Sequence, residues 1–136
     1  ISPDALEVAR HNARTNHVKD RITFQETSLM SGIPGPLDLI CANLPYIPSE
    51  KLHRLPIYLR EPTLALDGGE DGLKIIGLLL TQAAEKLAPD GLILLEIESG
   101  HPVEAKALAQ QHFPQAEVNV HPDLAGHARI VSIQAL

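Results

Sequence analysis

The apolar positions of this chain switch between a helical and a strand-like period, and the switches mark out its elements. After Ser2-Pro3-Asp4, Leu6, Ala9 and Ala13 recur at helical spacing. Ser2 supplies a hydroxyl N-cap, Pro3 suits the first helical position, and Asp4 complements the positive end of the helix dipole. This predicts a helix from residue 3 to about Asn16. A cap so early in the chain puts any strand feeding that helix before Ile1. Residues 22–26 alternate in the manner of a short strand, and Gly32, Pro34, Gly35 and Pro36 then break the chain. Residues 37–42 (Leu-Asp-Leu-Ile-Cys-Ala) form a nearly continuous apolar run, the pattern of a buried parallel strand.

Residues 47–71 show no clear period and carry Pro48, Pro56, Pro62, Gly68 and Gly69. A loop of that length in a compact domain is usually functional or disordered. From Gly72 to Leu87 the helical period returns, with Leu73, Ile76, Leu80, Ala83, Ala84 and Leu87 on one face. Pro89-Asp90-Gly91 reads as a turn, residues 92–97 as a second buried strand, and residues 102–112 as a helix opened by His101 and Pro102. Strands at 117–121 and 128–134 close the chain, joined by a loop around Asp123 and Gly126. Strands alternating with helices imply an α/β domain with a parallel sheet. The last two strands have no helix between them, so one must run antiparallel. In open α/β sheets ligands bind beyond the carboxyl ends of the strands, and Asn43 occupies such a place.

Composition narrows the classes. A length of 136 residues suits one domain with a real core, and aromatic residues amount to only 3%, so that core is aliphatic. The net charge of −6 lacks the basic face that a phosphate backbone requires, which argues against direct nucleic-acid binding and leaves room for a protein partner or a small substrate. Cys41 is the single cysteine, which excludes a disulfide framework and suits a reducing cytoplasm. No apolar stretch reaches the roughly 18–20 residues of a membrane-spanning helix. The histidines include no pair at metal-ligand spacing, so no metal site is expected. Glu96 and Glu98 alternate on a strand and share one face, as polar groups at a strand end do.

The strongest chemical signal is Asn43-Leu44-Pro45-Tyr46 at the end of the first apolar strand. It resembles the Asn-Pro-Pro-Tyr signature of methyltransferases that modify a planar NH2 group, either a glutamine amide or the exocyclic amine of adenine. Such a nitrogen is conjugated and a poor nucleophile. A site can assist by accepting both N–H hydrogens, one on the Asn43 side-chain oxygen and one on the Leu44 backbone carbonyl, which turns the nitrogen toward a sulfonium methyl. Pro45 would stiffen the turn and Tyr46 would pack on the flat group. Asn and Pro are also common turn formers; the position at a buried strand's end is what favours the chemical reading.

Further segments carry a closer resemblance. Arg60-Glu61-Pro62-Thr63-Leu64-Ala65-Leu66-Asp67-Gly68-Gly69-Glu70-Asp71-Gly72-Leu73 is similar to the segment that follows this turn in release-factor glutamine methyltransferases, the HemK-like family. The similarity extends through Gly91 to Ile97, through Asp123-Leu124-Ala125-Gly126-His127-Ala128-Arg129, and to the opening Ser2-Pro3-Asp4-Ala5-Leu6, so it spans essentially the whole chain. The resemblance implies a class I S-adenosylmethionine-dependent methyltransferase fold, a Rossmann-like sheet with a C-terminal antiparallel strand pair. It implies methyl transfer to a glutamine side-chain amide in a peptide chain-release factor. Asn43, Leu44, Pro45 and Tyr46 would hold the amide, with Asn43 as the catalytic residue. Asn43, Ser28 and Leu29 would border the cofactor, the latter two beside its adenine.

Departures from the family pattern are also visible. Leu44 replaces the usual first proline, which leaves a backbone carbonyl in place. Ser28 stands where the family usually has aspartate. The glycine-rich cofactor loop, the acid closing the second strand and the N-terminal helical domain have no counterpart within residues 1–136. On this reading the chain is the C-terminal part of a catalytic domain lacking its first two strands. Residues 37–42 are then expected to present an unpaired edge through which the chain self-associates. The rival readings are an adenine methyltransferase on DNA or RNA, which the acidic, aromatic-poor composition disfavours, and a non-catalytic fragment of the same fold.

Overall fold

The computed structural model describes residues 1–136 as two compact units, Ile1–Ile33 and Pro34–Leu136. In the first, helix α1 (Pro3–Thr15) begins as its cap predicts, with the Ser2 hydroxyl accepting from the Ala5 amide at 3.2 Å, and it is closed by Asn16. A single 3-10 turn (Lys19–Arg21) follows. The Arg10 guanidinium lies 5.7 Å from the centre of the Phe24 ring, and residues 28–32 form a turn with Leu29 at a φ of 51°.

The strand expected over residues 22–26 does not form. Alternation makes a segment suited to a sheet, but a strand exists only where its amides and carbonyls find a partner chain. The described strands all pair within the second unit.

That unit contains one sheet of four strands: β1 (Leu37–Ala42), β2 (Leu87–Glu96), β3 (Glu117–Pro122) and β4 (Ala128–Gln134), in the order β1-β2-β4-β3. β1 and β2 are parallel, and β4 runs antiparallel to both of its neighbours, so the reversed strand is the last one. Ile40, Ile93, Ile133 and Val118 stand in one row across all four strands and are buried. Each such side chain contributes about 1.5–3 kcal/mol on leaving water. On α3 (Lys74–Ala83), Ile76, Leu79, Leu80 and Ala83 are buried; on α4 (Pro102–His112), Ala105 and Ala109 are buried. The two helices pack on each other, and α4 packs on β3 and β4.

Three boundaries differ from the sequence pattern. The helix expected over 72–87 spans only Lys74–Ala83, because Gly72 has a φ of 78° and Leu87 already pairs with Leu37. The turn at Pro89-Asp90-Gly91 lies inside β2 rather than before it: pairing on β1 steps from Leu37 to Leu39 while on β2 it steps from Leu87 to Leu92, and Asp90 takes a φ of 58° where the extra residues loop out. Finally, the apolar run 37–42 is parallel as expected but not buried throughout. It is the unpaired edge of the sheet, as expected for a fold lacking its first two strands, with only Ile40 buried, Leu39 54% exposed and Cys41 exposed.

Candidate active site

Asn43 follows the last residue of β1, at the carboxyl end of the parallel pair. Ala42 pairs with Leu95, so Glu96, the last residue of β2, stands at the level of Asn43. The Asn43 side chain is exposed and makes no hydrogen bond, and the Leu44 carbonyl accepts none. Both acceptors are therefore uncommitted. Asn43, Leu44 and Tyr46 line one cavity of about 300 Å³, closed from the loop that follows by Ile57, Glu61, Ala65 and Leu66. Pro45 sits half-buried within the same turn. Ser28 and Leu29 belong to the other unit. The Ser28 carbonyl accepts the Ser31 amide, while its hydroxyl is exposed and unengaged.

The long loop explains how the turn is held. It contains a short helix α2 (Ser49–Leu52) and a 3-10 turn (Thr63–Ala65), and it returns so that Ile47 and Asp67 form a bridge. The Ile47 amide donates to the Leu66 carbonyl at 3.0 Å, and the Gly68 amide donates back to the Ile47 carbonyl at 2.9 Å. Asp67 ties the two passes together, accepting from the Ser49 hydroxyl at 2.6 Å and from the Gly69 amide at 2.9 Å. These bonds, the Ser49 hydroxyl first, hold the Asp67 carboxyl below its usual range. Glycine is required where this return passes Tyr46: a β-carbon on Gly68 would stand 2.7 Å from the Tyr46 α-carbon, and one on Gly72 would overlap the Tyr46 carbonyl. The glycines therefore form a turn beneath the tyrosine, and the segment 60–73 acts as a clamp on Asn43–Ile47.

The Tyr46 ring is held from its far end as well. Its hydroxyl donates to Glu96 Oε1 at 3.0 Å. Burial, then the hydrogen bond to Glu96 and the charge behind it, push the Tyr46 hydroxyl above its usual pKa, with Arg129 opposing. Arg129 is anchored by its Nε to Asp123 Oδ2 and by Nη1 to the Ile97 carbonyl, each at 3.3 Å. Asp123 also accepts the Ala125 and His127 amides, and these backbone bonds, that of His127 foremost, keep its carboxyl below the usual range. The closing motif 123–129 is thus a self-bonded loop that delivers Arg129 to the end of β2. The paired glutamates divide: Glu96 meets Tyr46, whereas Glu98 faces Lys51 at 3.4 Å. Sequence reasoning placed Ser49, Asp67 and Arg129 in no site. The only signal for the latter two was their membership of the recurring segments.

A larger open groove of about 910 Å³ runs along α3 and α4 from Glu70 and Asp71 past Lys74, Gly77, Glu104 and Leu108, and none of Asn43, Leu44 or Tyr46 lines it. No helix is long and apolar enough to cross a membrane.

A parallel pair continued by an antiparallel one, in the order β1-β2-β4-β3, matches the C-terminal part of the class I methyltransferase fold. The solved ribosomal protein L11 methylase of Lactobacillus delbrueckii subsp. bulgaricus superposes with a TM-score of 0.64 at 21% identity, covering 98% of this chain and 53% of that one. The chain belongs, by sequence, to the release factor glutamine methyltransferase family. It is 41% identical over 144 residues to the release factor glutamine methyltransferase of Bradyrhizobium diazoefficiens, which covers 100% of this chain and 46% of the relative. It is 41% identical over 115 residues to the ribosomal protein uL3 glutamine methyltransferase of Neisseria meningitidis serogroup A, covering 84% of this chain and 37% of that protein. The chain thus spans about half, or less, of the length of these relatives. No protein-family model matches it.

Proposed function

We propose that this chain is the C-terminal part of the catalytic domain of a cytoplasmic S-adenosylmethionine-dependent enzyme that methylates the side-chain amide of a glutamine in a peptide chain-release factor. The observation that carries the reading is the pair of uncommitted acceptors, the Asn43 side chain and the Leu44 carbonyl, on residues that line one cavity with Tyr46. An amide NH2 offers two donors in one plane, and two acceptors held by a clamped turn orient that plane. A cavity of about 300 Å³ accommodates a side chain rather than a folded segment.

S-adenosylmethionine supplies an electrophilic methyl on a sulfonium. Within the first unit, the exposed Ser28 hydroxyl would offer a partner to an adenine amine, and Leu29 an apolar contact. Asn43 would border both cofactor and substrate. Methylation of the amide nitrogen would release one of its two protons to solvent water. Until then Asn43 and Leu44 hold both hydrogens away from the incoming carbon. Tyr46, whose hydroxyl is kept protonated, contributes its ring rather than a charge.

The test is labelled methyl transfer by the protein that carries this chain, with a release factor, ribosomal protein uL3 and an adenine-containing oligonucleotide offered in parallel. The uL3 arm is motivated by the relatives named for that substrate. Labelling of the release factor at glutamine is expected. Preferential labelling of uL3 would move the substrate while keeping the chemistry, and comparable labelling of the oligonucleotide would overturn the amide assignment.

A further inference from the structure

The geometry points to Glu96 as a positioning residue for methyl transfer, acting only through the Tyr46 ring; the inference rests on the amide-holding role proposed for the turn. The backbone of Tyr46 is gripped by Gly68 and Gly72 beneath it and by the Ile47 bonds beside it. That grip leaves the two side-chain torsions free. The far end of the ring is held by the 3.0 Å hydrogen bond to Glu96 Oε1, with Arg129 also acting on the hydroxyl. Glu96 is well placed to be an anchor because it terminates β2 in register with Ile130 of β4, one residue beyond the last pairing with β1.

A second polar side chain acts on the same hydroxyl. Arg129 faces the same tyrosine hydroxyl, and it is restrained by Asp123 and by the Ile97 carbonyl rather than left to swing onto Glu96. The carboxylate therefore stays available to the phenol. It stands at the level of Asn43 across the parallel pair, on the same sheet face as Leu92 and Leu94. It does not line the cavity, whereas Tyr46, Asn43 and Leu44 do. Glu96 thereby sets the plane of one cavity wall without touching what the cavity holds. Aligning that wall with a flat amide governs how often the bound nitrogen faces the methyl, which is a kcat effect.

The experiment is a double-mutant cycle in the full-length protein that carries this chain, with a release factor as methyl acceptor. Glu96→Leu is expected to lower kcat roughly tenfold with KM held within about twofold, and Tyr46→Phe to do the same. The double variant should be no worse than either single one, because both remove the same link. Glu96→Gln, which keeps an acceptor oxygen, should recover most of the lost rate. Additive losses, an unchanged kcat, or a Gln variant as damaged as Leu would each overturn the assignment. A readout independent of turnover is the ultraviolet titration of tyrosinate, taken as the difference between the protein and its Tyr46→Phe variant. Glu96→Gln must lower the Tyr46 midpoint, since it removes the negative charge that disfavours the phenolate; an unmoved midpoint would refute the pairing. Absence of glutamine labelling by the unsubstituted protein would instead strike at the proposed function, while the titration would still report on the contact itself.

Discussion

Gly72 lies so close to the carbonyl oxygen of Tyr46 that no β-carbon fits between them. Its φ of 78° is one that side-chain-bearing residues rarely adopt. The clamp on the candidate amide site therefore depends on a position that does not itself line the cavity.

Gly72→Ala should displace the Tyr46 carbonyl and, with it, the turn that carries Asn43. Strain at such a position costs about 1–3 kcal/mol. Because Gly72 also sets the start of α3, the variant is expected to melt earlier and to methylate poorly. Gly126→Ala is the control: it shares a positive φ of 85° but has open space around it, so it should lose stability alone. Thermal melts paired with turnover separate the two; equal activity in both variants would remove the clamp from the argument.

Asn43→Ala should abolish methylation without unfolding the protein. The side chain is exposed and makes no hydrogen bond, so the fold has little to lose. A single contact aimed at a reacting group is worth about 10²–10³ in rate. Turnover near that of the unsubstituted protein, with an unchanged circular-dichroism spectrum, would exclude Asn43 from the mechanism.

Acid should loosen both the clamp and the closing loop. Asp67 and Asp123 are held below the ordinary carboxylate value of about 4 by hydrogen bonds that require the charged form. A depressed folded value contributes stability that is complete above the ordinary value and is lost as pH falls through the folded one. Thermal stability should thus fall below about pH 4, and Asp67→Asn and Asp123→Asn should each flatten that fall. An identical acid limb in all of these proteins would show that other carboxylates carry it.

Residues 1–136 expressed alone should self-associate and bind S-adenosylmethionine weakly. β1 is an edge strand with Leu39 54% exposed, and an apolar edge invites another strand. Size-exclusion chromatography should find oligomers that Leu39→Lys reduces, and calorimetry should find little cofactor binding. A clean monomer with micromolar affinity would refute both expectations.

The helices at 3–15 and 102–112, the closing strands and the asparagine turn were legible from the sequence, because each is specified locally. A cap, a proline at the first turn or a two-residue alternation acts within a few residues of itself. The chemistry proposed for Asn43-Leu44-Pro45-Tyr46 rests on equally local information, since donor and acceptor needs attach to residue types. Tertiary structure decided the rest. Residues 22–26 alternate like a strand yet pair with nothing, because that outcome depends on which strands are neighbours; the edge position of residues 37–42, by contrast, was expected from the family resemblance, and only the exposure of Leu39 and Cys41 along it required the structure. The role of Gly68 and Gly72 required the return of the loop onto Tyr46, and that of Glu96 required a contact across fifty positions of chain. A hydrogen bond between residues so far apart leaves no period or spacing in the sequence; only packing brings its donor and acceptor together.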